Sequence, residues 1–214
     1  MKFLSLPLLL LATTVPGIAE AFTVDISNGP NRAIYLRVGH GAMVGLYSNN
    51  QNMNPATSST VTTVSATLTT AQVGNGIAVP MNGNSSGISE WDGYAFCNAG
   101  EVYIGGFFRR GGNSSGASTA SITAQPQSQL TNESGDVIPW NQISWTVSGN
   151  GDAANTQRFA AGTFTGGVQS LNVAARRINR GTWTESCMRF SYANSSLVPG
   201  GTYRGRILYT MSTP

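Results

Sequence analysis

The sequence predicts an all-β protein built as a single enlarged β-sandwich, Ig-like or jelly-roll with Greek-key connections, and closed by one disulfide. Three observations point there. Short runs of alternating apolar and polar residues recur at intervals of roughly 8 to 15 residues, Gly, Asn and Pro punctuate the gaps, and the two cysteines stand far apart at Cys97 and Cys187. A seven-strand sandwich takes about 100 residues. The chain has 214, and no linker, repeat or charge run divides it. One domain over residues 22–214 is therefore expected.

The clearest unit is Thr182 to Met211. Met188, Phe190 and Tyr192 alternate with Arg189 and Ser191, and later Tyr203, Ile207, Tyr209 and Met211 alternate with Arg204, Arg206 and Thr210. Residues two apart share a face of a strand, so each run has a dry and a wet side. Between them, Asn194 to Gly201 holds Asn, Ser, Pro and Gly, which accept turn dihedrals.

From the start of the chain, Lys2, an apolar run from Phe3 to Leu11 and the small residues Ala19 and Ala21 describe a secretory signal peptide over residues 1–21. The run is too short to span a bilayer, which takes roughly 20 apolar residues. Phe22 to Ser27 alternates strictly, then Asn28 to Asn31 breaks the pattern. Ala33 to Val38 is a strand with Ile34, Leu36 and Val38 on one side. Tyr47 to Ser58 is polar and Asn-rich, which predicts a long loop. Thr60 to Val73 is rich in Thr and Val, which favours a strand.

Ile77 to Met81 predicts a short strand before a loop at Asn82 to Ser89. Tyr94 to Cys97 and Val102 to Phe108 flank Asn98, Ala99 and Gly100, which predicts a hairpin. Ala117 to Ala124 alternates around Ile122, Val137 to Val147 places Ile143, Trp145 and Val147 on one face, and Arg158 to Phe164 is a further strand. Val168 to Ile178 fits two periods: Leu171, Ala174, Ala175 and Ile178 match a helix, Leu171, Val173 and Ala175 a strand. A short helix or irregular crossover is expected there.

Composition excludes some functions. Charged residues are 10% of the chain, where about 25% is usual. The net charge is only +3, and the densest basic cluster, Arg176, Arg177 and Arg180, reads as a solvated face. A nucleic-acid binder needs a stronger patch. The 40% hydrophobic content, with 4 Trp, 7 Tyr and 8 Phe, supports a substantial core rather than disorder. Two cysteines in an exported chain pair most simply with each other, and a closed loop of about 90 residues contributes roughly 4 to 5 kcal/mol. Alternation sets Cys187 opposite Met188, Phe190 and Tyr192, so the bond is expected off the aromatic core.

Enzyme chemistry finds little support. His40 is the only histidine, no Gly-x-Ser-x-Gly elbow surrounds a serine, and metal-ligand and calcium-loop spacings are absent. Glu90 and Asp92 flank Trp91, but a glycosidase needs two carboxyls across a cleft, and this segment reads as a turn. No catalytic residue, metal or cofactor is expected. Trp91 is instead a candidate for stacking on a sugar ring, which makes a secreted glycan-binding module the second reading and a hydrolase a distant third.

Residues Val198 to Gly205, VPGGTYRG, precede the last strand of a lysine-free, Thr/Ser/Asn/Gly-rich chain once residues 1–21 are removed. In this the chain resembles bacterial pilin-type subunits of the chaperone–usher and spore-coat-U-like group, in which a Gly-x-Tyr turn often leads into the last strand. Two features depart from the group: the cysteines lie far apart, and the chain ends in Thr-Pro without a penultimate tyrosine. The resemblance implies an exported structural or adhesive surface subunit, periplasmic or at the cell surface. Its implied partners are its own copies, joined by strand exchange, with a periplasmic chaperone and an outer-membrane usher. Phe22, Val24 and Ile26 are the candidate donor-strand residues.

Overall fold

The computed structural model describes residues 33–39, 42–44, 54–56, 62–83, 95–109, 118–149, 157–173 and 177–213. These hold β1 (Ala33–Val38), β2 (Ala42–Val44), β3 (Asn54–Ala56), β4 (Val64–Leu68), β5 (Val79–Pro80), β6 (Asn82–Gly83), β7 (Val102–Arg109), β8 (Thr119–Pro126), β9 (Leu130–Thr131) and β10 (Val137–Ile138). After a 3-10 turn at Trp140–Gln142 come β11 (Ile143–Ser148), β12 (Gly162–Thr163), β13 (Gln169–Ser170), β14 (Ile178–Asn179), β15 (Thr184–Tyr192), β16 (Gly201–Tyr203) and β17 (Ile207–Ser212). The protein is an all-β sandwich with one disulfide.

One sheet runs β1-β7-β15-β11-β12, with every pairing antiparallel. The nine-residue β15 is its spine. Its first half pairs with β7, its second half with β11, and β5 takes over beside Ser191 and Tyr192 where β7 has ended. The opposing sheet is centred on β8, with β17 along one edge and β13 and β14 along the other. A smaller sheet, β16-β4-β6, and two ribbons, β9-β10 and β2-β3, complete the described pairings.

Alternation explains the core. From the first sheet, Val102, Ile104, Phe108, Met188, Phe190 and Tyr192 enter it, and from β8 come Ala120, Ile122 and Ala124. Phe164 sits among three rings: edge-on to Trp140 at 5.2 Å, tilted against Trp145 at 4.6 Å and stacked on Phe190 at 6.2 Å. Such offset and edge contacts add to the area these rings bury. Trp145 is buried as its alternation with Ile143 indicates, and its indole N–H donates to the Ala160 carbonyl at 2.7 Å.

Several expectations need correction, among them the loop at Asn82 to Ser89, which opens with β6 paired to β4. In Val168 to Ile178 the described residues are extended, not helical: Gln169–Ser170 and Ile178 pair with β8, and Asn172 bridges to Phe159. The edge of β8 offers them ladder hydrogen bonds, and that tertiary pairing outweighs an ambiguous local period. The loop expected at Tyr47 to Ser58 contains β3, paired with β2. The hairpin expected around Asn98 is half formed, because β7 pairs with β1 and β15 while Phe96 and Cys97 belong to no strand. The run from Tyr203 to Met211 is two strands, for β16 pairs with β4 and β17 with β8.

Candidate functional site: a seam between two edge strands

Within the first sheet, β1 pairs with β7 alone, and in the second, β17 pairs with β8 alone, among the described strands. Both are edge strands, and they face each other across one side of the sandwich. Register assigns their inward residues. Ile34, Leu36 and Val38 stand opposite Phe108, Gly106 and Ile104, while Ile207, Tyr209 and Met211 stand opposite Pro126, Ala124 and Ile122.

These six inward side chains are all half-buried, whereas Ile104 and Ile122 behind them are 0% exposed. All six pack against the core. The result is an apolar seam with three side chains on each wall, flanked by two strand edges that have no described ladder partner. Gly106 shapes its floor, because a Cβ there would stand 3.2 Å from the Met211 sulfur and 3.0 Å from Ile178 Cδ1. Tyr209 is half-buried as a residue, yet its hydroxyl is desolvated, and burial pushes the phenol up. At the end of β1, Thr62 Oγ1 donates to the Val38 carbonyl at 3.5 Å. Such an arrangement can accept an extended segment, with main-chain hydrogen bonds along an edge and alternate side chains in the seam.

Of the residues singled out in the sequence, Phe22, Val24, Ile26, Trp91, His40, Glu90 and Asp92 lie outside the described residues. Cys97 and Cys187 are bonded, with Cα atoms 5.5 Å apart. As alternation indicates, Cys187 points away from the main core, but it meets a second, smaller cluster on the outer face of the first sheet. There the Tyr103 hydroxyl and the Trp183 indole N–H both donate to the Glu185 carboxylate, the latter at 2.9 Å. The Arg37 guanidinium lies 4.4 Å from the centre of the Tyr103 ring, and Tyr35 and Trp183 are 5.2 Å apart. The same alternation that dries the inner face of β7 thus places Tyr103 and Phe107 on an outer face that is buried as well. Sequence periodicity describes one face per strand and gave no sign of this cluster.

Glu101 lies close to both cysteines, but the two sulfurs are consumed in the disulfide and its carboxylate accepts the Asn98 N–H at 2.9 Å, closing the turn before β7. Asp136 likewise accepts from Asn132 Nδ2 at 2.8 Å in the β9–β10 turn. Arg177 and Arg180 are exposed. Comparison with family models, with curated proteins and with solved structures finds no match for this chain.

Proposed function

We propose that this chain is an exported subunit of a surface assembly, structural or adhesive, joined to further copies of itself by strand exchange at the seam between β1 and β17. The observation that carries the reading is the half-buried row of Ile34, Leu36 and Val38 against Ile207, Tyr209 and Met211. An apolar trough beside two edge strands that have no described ladder partner is a liability in a lone secreted domain and a socket in an assembling one. Phe22, Val24 and Ile26 present three apolar side chains at two-residue spacing, matching the three positions on each wall. A periplasmic chaperone would cover the seam before assembly, and an usher would exchange it for the neighbour's segment.

The low charge and the disulfide suit an extracellular structural role. Glu101, Asp136 and Glu185 each hold a turn or an aromatic cluster together, which favours the structural reading over a hydrolase. The deciding experiment deletes Phe22 to Ser27 from the secreted form and follows unfolding and polymer formation by sedimentation. A donor segment yields a monomer of unchanged stability that no longer polymerises and that captures an added peptide of the same six residues. A destabilised monomer would identify an ordinary first strand and overturn the reading.

A further inference from the structure

At one end of the sandwich the β8–β9 connection, the 3-10 turn and the loop after β12 enclose an open groove of about 410 Å³. It belongs neither to the seam nor to the outer-face cluster, although Pro126, part of its wall, pairs with Ile207 where the seam ends. Its shape is fixed from behind. Trp140 is held by three contacts: its indole N–H donates to the Ser128 carbonyl, its ring meets Phe164 edge-on, and Gly205 presses close, so that a Cβ there would stand 2.7 Å from Cζ2. A wall locked in this way costs a ligand little ordering entropy.

The chemistry of the lining is distinctive. None of its nine described residues carries a charge, and three, Gln127, Gln129 and Asn141, carry primary amides. Gln127 Nε2 is engaged with the Gln125 carbonyl at 3.1 Å, but Gln129 and Asn141 are exposed and their amides bond to no described group. Each therefore offers two donors and an acceptor to a ligand. Pro126, Pro139 and the rim of Trp140 supply apolar surface between them. Amides that can pair with adjacent hydroxyls, set beside flat apolar surface for C–H faces, suit an uncharged polyhydroxylated ligand. Phosphate, carboxylate or ammonium groups would find no counter-charge among the lining residues, and the volume lies in the range of small-ligand sites.

We propose that this groove binds a neutral carbohydrate, a segment of one to three sugar units, independently of whether the seam exchanges strands. Sugar recognition is thereby assigned to a recessed, amide-lined groove beside a clamped tryptophan rather than to an exposed aromatic strip. The test screens the secreted protein against neutral and acidic oligosaccharides and a proline-rich peptide, then measures affinity by titration calorimetry for wild type, Gln129→Ala, Asn141→Ala and the double variant. Because neither side chain bonds to a described group, all variants should melt with the wild type. The expected result is a neutral oligosaccharide whose affinity falls about tenfold in each single variant, the effect of losing a hydrogen bond or two, and is lost in the double variant. Binding of acidic glycans or the peptide alone, binding unchanged in the double variant, or no glycan binding at millimolar concentration would each overturn it.

Discussion

Asn194 holds Gln72 across most of the sandwich sequence: its Nδ2 donates to the Gln72 carbonyl at 2.7 Å, over a separation of 122 residues. The two hydrogens of that amide are shared with Asn75 Oδ1 at 2.8 Å and the Ile77 carbonyl at 3.1 Å, while its Oδ1 accepts the Gly74 N–H at 3.2 Å. Asn194 is fully buried and adopts φ 55°, the one described non-glycine residue in the left-handed region. Asn tolerates that conformation better than most residues, and here its side chain also satisfies a loop that has no ladder of its own.

Replacing this residue separates the two contributions. Asn194→Gly keeps the backbone conformation and removes the hydrogen bonds, for a loss of about 2 to 4 kcal/mol from buried groups left unpaired. Asn194→Ala adds the cost of the left-handed conformation, about 1 kcal/mol or more. Chemical denaturation of the two variants should rank them in that order. Equal stability of wild type and Asn194→Gly would show that the loop satisfies itself.

The Cys97–Cys187 bond closes a separation of 90 residues and fastens the turn before β7 to the middle of β15. A loop of that length contributes about 4 to 5 kcal/mol in the chain-entropy model. The Cys97→Ala, Cys187→Ala pair should therefore lower unfolding free energy by several kcal/mol, and refolding under reducing conditions should fail or give the same weakened species. A melting temperature that reductant leaves unchanged would count against the bond as a principal fastening.

How much of this was legible beforehand follows from the range of the forces involved. Two-residue alternation is local, so Ile104, Ile122, Trp145 and Phe190 could be placed in a core from the sequence. Pairing is not local. Nothing near Gln169 announces that β8 will give it an edge, and nothing near Tyr203 says that β16 and β17 join different sheets. Gly205 lies in the break between them, where its missing side chain lets the chain pass the Trp140 ring. The seam was partly legible, since the alternating rows of β1 and β17 stand in the sequence, but their half-burial is a property of the sheet edges. Leu36 and Ile104 look alike in the sequence and differ in the fold.

Three phenols are raised by burial. In Tyr203 burial acts first, Asp136 and Tyr192 push the same way, and Asn132 works against them; burial alone raises Tyr192 and Tyr209. Tyr203 also donates to the Pro199 carbonyl at 2.7 Å, and Tyr192 to the Ser196 carbonyl at 3.4 Å. A phenol whose folded value lies above its unfolded value of about 10 keeps its full contribution below pH 10 and loses it as pH rises towards the folded value. Stability should thus hold from pH 7 to about 9 and fall above about 10. Tyr192→Phe and Tyr203→Phe, each weaker at neutral pH by about 1 kcal/mol for a lost hydrogen bond, should show a shallower alkaline fall. An alkaline fall of wild-type steepness in both would assign it to other groups.

The seam yields the sharpest contrast between neighbouring substitutions. Leu36 and Met211 line it half-buried, while Gly106 forms the floor beneath them. A charge at Leu36 can still reach water in the monomer, since the side chain is not enclosed, but it would have to be desolvated once a strand fills the seam. Leu36→Glu should therefore cost the monomer only about 1 to 2 kcal/mol and abolish polymer formation. Gly106→Val should behave differently. Its new methyls would meet Met211, Ile178 and Ile122 within the core, so that folding itself suffers, by about 1 to 3 kcal/mol as overpacking does. Melting curves and sedimentation on both variants separate the cases. A Leu36→Glu protein that polymerises like the wild type would show that the seam is not where copies meet, while a Leu36→Glu monomer as destabilised as Gly106→Val would show that β1 closes the core and leaves no socket.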